Sequence, residues 1–254
     1  DTTLDDRPVA RVTFRSAPEA QPDPLFRCVP DRRTNRAPFD QDQPVAEKTL
    51  ESLRAAISPE MGAFDYASNA ETVTMLKDVC VRAWRVEATT PRTHRESTEV
   101  MRIGAREINA NPDGISLSGA MMEAGRLAGF LTREKLSDPS SNAFAQSLTF
   151  YEDLINSAVA FGWLSTNDNL RTTQLGAGAG WVRCHLAATR AGLAMQPLSQ
   201  ALQEFQEMDG LYKEVHTALG VEAPARIQGL FRFGYAKSPP PAPRWPLETR
   251  LLEA

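Results

Sequence analysis

The sequence predicts an α+β fold. Helical periodicity recurs in long stretches between residues 44 and 219, and the runs that read as strands are few and scattered among those helices. Prolines and glycines punctuate the joins.

Taken in order, Val9, Val12 and Phe14 within Pro8–Phe14 predict a strand. Ser16–Pro24 carries three prolines and reads as a linker. Asp31–Asp40 then crowds Arg32, Arg33 and Arg36 around Thr34 and Asn35. Pro44–Ile57 is an amphipathic helix, with Val45, Leu50, Leu53 and Ile57 on one face and Glu47, Lys48, Glu51 and Arg54 outside. Asn69–Val86 predicts another, with Val73, Leu76, Val79, Cys80 and Ala83 aligned, and helical character continues through Thr93–Ile108.

Asn111-Pro112-Asp113-Gly114 is a turn. Ser116–Leu131 is apolar and Met-rich, a helix suited to lie over or under a site, and Asp138–Asn142 breaks the chain again. Asn156–Ser165 suits a strand buried on both faces. Arg171–Leu193 is the longest helix candidate and stops at Ala191-Gly192. It carries Gly176, Gly178 and Gly180, each costing about 1 kcal/mol relative to Ala in an isolated helix. Small residues there imply close approach of another backbone or a flat ring. Gln203–Leu219 reads as a helix and Ile227–Tyr235 as an alternating strand.

With 254 residues the chain can bury a substantial core, and its 42% hydrophobic and 24% charged content are ordinary for a globular protein. Net charge is 28 − 32 = −4, which excludes a general basic field for nucleic acid. Positive charge is local instead: Arg27, Arg32, Arg33 and Arg36 lie within ten residues. No window holds 18 uninterrupted apolar residues, so no transmembrane helix is expected. Cys28, Cys80 and Cys184 are odd in number and far apart, which predicts free thiols and not a disulfide framework or metal site. Asp1–Asp6 has no signal-peptide character and reads like the interior of a longer chain.

Catalytic motifs based on protein side chains do not emerge. Gly176-Ala-Gly-Ala-Gly180 lacks the dinucleotide fingerprint, no serine sits in a nucleophile elbow, and His94, His185 and His216 have no metal-ligand spacing. His185 reads as a core or boundary residue. The Arg32–Arg36 turn has two readings: a solvated basic turn, or an anion seat whose planar guanidinium forks match phosphate oxygens.

Arg32-Arg33-Thr34-Asn35-Arg36, the following Phe39, Pro44-Val45 and a helix resemble the opening of the nitroreductase family of FMN-dependent oxidoreductases. Gly234-Tyr235, a proline-rich turn and Arg244-Trp245-Pro246-Leu247-Glu248 resemble its close, and Gly176–Gln200 resembles its central helix and following loop. The resemblance implies a central, mostly antiparallel sheet flanked by helices, with FMN as cofactor. It assigns Arg32, Arg33 and Arg36 to phosphate or ribityl oxygens, Thr34 to the flavin ring, and Arg244 to the phosphate. The loop Gln196-Pro197-Leu198-Ser199 would present backbone to the ring edge.

Such flavoenzymes take hydride from NAD(P)H and pass it to a stacked nitroaromatic, quinone or similar acceptor, so few protein groups need to react. The same fold also admits a non-catalytic protein that sequesters flavin, with Ser116–Leu131 as a lid.

One departure stands out. The family's Pro-Ser-x-x-Asn-x-Gln-Pro-Trp segment, which reaches flavin across a dimer interface, is replaced by Ser58-Pro59-Glu60-Met61-Gly62. The chain therefore resembles the C-terminal half of a duplicated, single-chain branch. Residues 1–30 would be a lead-in and 31–254 the FMN-binding domain, completed by a homodimer partner or a preceding half. Localisation is open between the cytoplasm and twin-arginine export.

Overall fold

The computed structural model describes residues 11–251. In chain order its strands are β1 (Ala63–Ala67), β2 (Met101–Ile103), β3 (Ile115–Leu117), β4 (Ala160–Thr166), β5 (Ala194–Pro197) and β6 (Arg226–Gly234). Its α-helices are α1 (Glu47–Arg54), α2 (Ala70–Thr89), α3 (Pro91–Glu99), α4 (Ala105–Ala110), α5 (Ala120–Leu127), α6 (Arg133–Ser137), α7 (Asn142–Asn156), α8 (Arg171–Arg190) and α9 (Asp209–Ala218). Four strands make one antiparallel sheet in the order β1-β4-β6-β5. The expected architecture, an antiparallel sheet flanked by helices, is present.

Period-two alternation on the two central strands divides the core between the sheet faces. Phe161, Trp163 and Leu230 pack with Val73, Leu76 and Val79 of α2 and with Leu211 and Val215 of α9. Ala160, Leu164, Phe231 and Phe233 pack with Leu50 and Leu53 of α1 and with Cys184 and Ala187 of α8. Both faces of β4 are therefore covered, which is why Ala160–Leu164 reads as a continuous apolar run.

The glycines of α8 have the packing role their size predicts, at two of the three positions. A Cβ at Gly176 would lie 3.0 Å from the Glu60 carbonyl oxygen, and one at Gly180 3.1 Å from that of Met61. The Ser58–Gly62 turn thus rests on this helix, whereas Gly178 faces open space. After α8 the backbone reverses at Gly192 and enters β5: Gly192 N–H donates to the Thr189 carbonyl and Leu193 N–H to that of Ala188.

Several boundaries differ from the sequence expectation. Of the strand expected at Pro8–Phe14, residues 11–14 are not strand, and Val12 and Phe14 are exposed; Pro8, Val9 and Ala10 lie outside the described residues. The helix expected through Thr93–Ile108 is split. Residues 101–103 pair in parallel with β3, and Gly104, at φ +82°, turns the chain into α4. In Ser116–Leu131 the first residues belong to β3, and the helix is limited to α5. The helix expected from Gln203 starts only at Asp209, after two 3₁₀ turns. Asn156 ends α7, so the strand expected from it begins four residues later.

Candidate functional site

The Arg32–Arg36 segment lies against β5. Phe26–Asp31 forms a 3₁₀ turn preceding it, with Leu25 buried in the α8 core and Asp23 paired with Arg183. Thr34 then bridges Met195 in parallel register, and Asn35 N–H donates to the Met195 carbonyl (3.0 Å). Because β5 is the last strand of the sheet, this segment caps an otherwise open edge. Asn35 locks the turn that follows: its Nδ2 donates to the Lys237 carbonyl (3.0 Å) and its Oδ1 accepts from Ala37 N–H (3.0 Å).

The segment's arginines are held in different ways. Arg33 Nη1 donates to the carbonyls of Pro30 (2.7 Å) and Arg32 (2.9 Å). Arg32 Nη1 donates to Nδ1 of His185 (3.2 Å), a buried residue of α8, whose Nε2 is 2.9 Å from the Arg33 carbonyl. A guanidinium only donates and a carbonyl only accepts, so His185 is neutral with its proton on Nε2. Burial, with the Arg32 charge alongside, keeps its pKa below the ordinary 6.5 and maintains that state. Arg36 is exposed. Among the described residues no carboxylate pairs with Arg32, Arg33 or Arg36.

The structure brings Gln196, Pro197, Leu198 and Ser199 beside this cluster, because β5 carries Met195 and runs directly into them. Their side chains have different surroundings. Leu198 is buried in the core, and its N–H donates to the Leu230 carbonyl (2.8 Å), so only its own carbonyl oxygen is left for a site. Pro197 is half-buried and Ser199 exposed. Gln196 is buried: its Oε1 accepts from Arg232 Nε (2.7 Å) and its Nε2 donates to the Tyr151 hydroxyl (3.2 Å).

Arg244 makes no hydrogen bond to the cluster among the described residues. It is exposed and donates to the carbonyl of Pro243 (2.8 Å), while the adjacent Trp245 donates through Nε1 to Asp113 (3.2 Å), between α4 and β3. His185 is buried, as the sequence reading expected of a core or boundary residue, but its bonds to the arginine turn escaped that reading, and Arg232 escaped it altogether. His185 left a faint signal, a histidine on the buried side of a helix; Arg232, in an alternating strand, left none.

Other chemistries have little support. Burial pushes the Cys80 thiol up to about 12 and raises that of Cys184 as well, which makes both poor nucleophiles. His94 is bonded to the Leu136 carbonyl, and His216 to the Tyr212 carbonyl and Ile227 N–H. Among the described residues no group of three His, Cys, Asp or Glu could hold a metal ion, and no helix is long and apolar enough to cross a membrane. Two cavities lie elsewhere. One of about 320 Å³ is bordered by Glu87, Glu96, Gln203 and Phe205, and one of about 430 Å³ by Arg54, Phe64 and Asp168.

No family model and no curated protein matches the sequence. Solved structures do match, along almost the whole chain. The fold is nitroreductase-like. An FMN-dependent nitroreductase from Mycobacterium smegmatis, solved in complex with NADPH, superposes with a TM-score of 0.54 at 20% identity, covering 90% of this chain and 97% of that one. A nitroreductase with bound FMN from Desulfitobacterium hafniense gives 0.54 at 13% identity, covering 92% and 100%. One from Bacteroides fragilis, also with bound FMN, gives 0.52 at 14%, covering 92% and 100%. The resemblance seen in the arginine turn is thus a resemblance of the whole nitroreductase-like architecture.

Proposed function

We propose that this chain binds FMN at the β5 edge and acts as an NAD(P)H-dependent oxidoreductase on nitroaromatic, quinone or similar acceptors. The observation that carries this reading is the Thr34–Met195 pairing. It sets three arginines, none paired with a carboxylate among the described residues, beside the strand that leads into Gln196–Ser199. A cation cluster of this kind fits a dianionic phosphate, because its remaining guanidinium donors and the Thr34 hydroxyl supply directional hydrogen bonds. Several solved proteins of the same fold contain FMN, and one is solved with NADPH, which supports the choice of ligand.

In this reading Arg32 and Arg33 hold the phosphate and Arg36 reaches the ribityl chain or the ring. His185 orients Arg32, and the backbone of Pro197–Ser199 fixes the ring edge. Bound FMN would accept hydride from NAD(P)H and pass it to an acceptor, so the chain's own groups bind, orient and exclude water. Arg244 would join the clamp by giving up its bond to the Pro243 carbonyl. A second copy or a preceding half would cover the outer face of α8, where Leu175 and Val182 are about half exposed.

The test is a spectrum. Full-length protein mixed with FMN should retain stoichiometric flavin after desalting, hold riboflavin more weakly, and bleach anaerobically with NADH or NADPH. Retained flavin that neither nucleotide reduces would favour sequestration. Failure to retain FMN would refute the reading.

A further inference from the structure

Arg232 is the largest side chain in the molecule with no exposure to solvent among the described residues. It lies on β6 between Phe231 and Phe233, whose rings belong to the core on the α1 and α8 side. Its guanidinium donates through Nε to Gln196 Oε1 (2.7 Å) and through Nη1 to the Leu154 carbonyl (2.7 Å) and Ser157 Oγ (2.9 Å). Through Nη2 it donates to the Ala37 carbonyl (2.8 Å), and it stacks on the Phe39 ring at 3.8 Å.

Every one of these partners is neutral. Burial pushes the Arg232 pKa down to about 10, so the group is still charged at neutral pH, and among the described residues no carboxylate pairs with it. A charge removed from water and left without a counter-ion is costly, and an apolar side chain of similar volume would ordinarily suit a core better. Its position gives it a use. Ala37 directly follows Arg36, and Gln196 begins the Gln196–Ser199 stretch, so one buried cation touches both segments of the candidate site. Gln196 transmits its orientation further, to the Tyr151 hydroxyl.

We infer that Arg232 is a buried counter-charge that makes this site bind reduced flavin more tightly than oxidised flavin. The inference rests on the flavin reading above. Uptake of two electrons and one proton from an external reductant leaves the ring with one extra negative charge, and a fixed cation in a low-dielectric core favours that product over the neutral oxidised ring. Arg232 is a positioning residue in this role, acting through Gln196 and Ala37.

The experiment uses the full chain with FMN as probe, in wild type, Arg232→Met, Arg232→Lys, Gln196→Glu and Ser157→Ala. Affinity for oxidised FMN is read by fluorescence quenching, and midpoint potential by slow enzymatic reduction against a reference dye. Arg232→Met and Gln196→Glu should each reduce the preference for reduced flavin on the order of tenfold, a potential about 30 mV lower for a two-electron couple. Arg232→Lys and Ser157→Ala, which keep the charge, should leave the potential near wild type. If Arg232→Met does not fold, Gln196→Glu still decides, because it retains Arg232 and supplies the missing negative charge beside it. FMN binding with one potential across wild type and Gln196→Glu would overturn this inference alone. A wild type that binds no FMN would overturn it together with the flavin reading.

Discussion

Arg32 and His185, 153 residues apart in sequence, meet at 3.2 Å between Nη1 and Nδ1, and the same imidazole reaches the Arg33 carbonyl through Nε2. One histidine on α8 therefore supports two consecutive arginines of the candidate phosphate clamp. The arrangement works only for the neutral ring.

If the clamp holds FMN, its affinity should depend on pH. Protonating His185 turns Nδ1 from an acceptor into a donor facing Arg32, so affinity should fall as pH drops through its lowered pKa. The FMN phosphate also gains a proton near pH 6, so the informative quantity is the difference between wild type and His185→Gln. Calorimetric titrations from pH 5.5 to 7.5 should show a flatter profile in the variant. Identical profiles would remove His185 from the clamp.

Fold stability should follow the same sign. His185 and His216 both have pKa values lowered by burial, and His216 likewise needs one bare nitrogen, Nε2, to accept from Ile227 N–H (3.1 Å). A lowered folded pKa means that the unfolded chain binds more protons in this range. Their contribution is therefore full above pH 6.5 and is lost as pH falls through the folded values. Urea midpoints should decline between pH 7 and pH 5. A rising midpoint over that interval would contradict the assigned tautomers.

Removing charge at Arg32 or Arg33 should cost about 1.5–3 kcal/mol of FMN affinity, the range for charged hydrogen bonds. Arg244→Ala should cost less than either, because that side chain is exposed and bonded to Pro243. A loss at Arg244 as large as that at Arg32 would show that the C-terminal segment reaches the phosphate in the bound state.

The three helical glycines should respond differently to alanine. Gly178 faces open space, so Gly178→Ala should stabilise by about 0.5–1 kcal/mol. Gly180→Ala should gain less or lose stability, because the new Cβ would lie 3.1 Å from the Met61 carbonyl oxygen and 3.3 Å from Ile57 Cγ2. Denaturant midpoints in reversed order would mean that the Ser58–Gly62 turn does not pack on α8 as described.

Tyr66 donates to Glu51 Oε1 at 2.6 Å, and this bond pushes its pKa up to about 12. Absorbance titration at alkaline pH should show a late phenolic step that Glu51→Gln moves toward the usual value near 10. An unchanged titration would mean that the bond does not persist in solution.

The sequence by itself determined the features that depend on local periodicity and residue chemistry. Val73, Leu76, Val79 and Cys80 marked α2, and the apolar run around Ala160–Leu164 marked a strand covered on both faces. Gly176 and Gly180 announced a close backbone approach. The density of arginines in 32–36 marked a local basic turn and a candidate anion seat. Tertiary structure decided what rests on distant contacts. The pairing of β2 with β3 overrode the helical character of Thr93–Ile108, because a strand forms where a partner supplies its hydrogen bonds. Thr34 reaches Met195 only once α8 has turned back at Gly192, so the neighbourhood of the arginine turn and Gln196–Ser199 could not be read from spacing. The roles of His185 and Arg232 come from partners between 36 and 195 residues away, and no local pattern encodes such contacts.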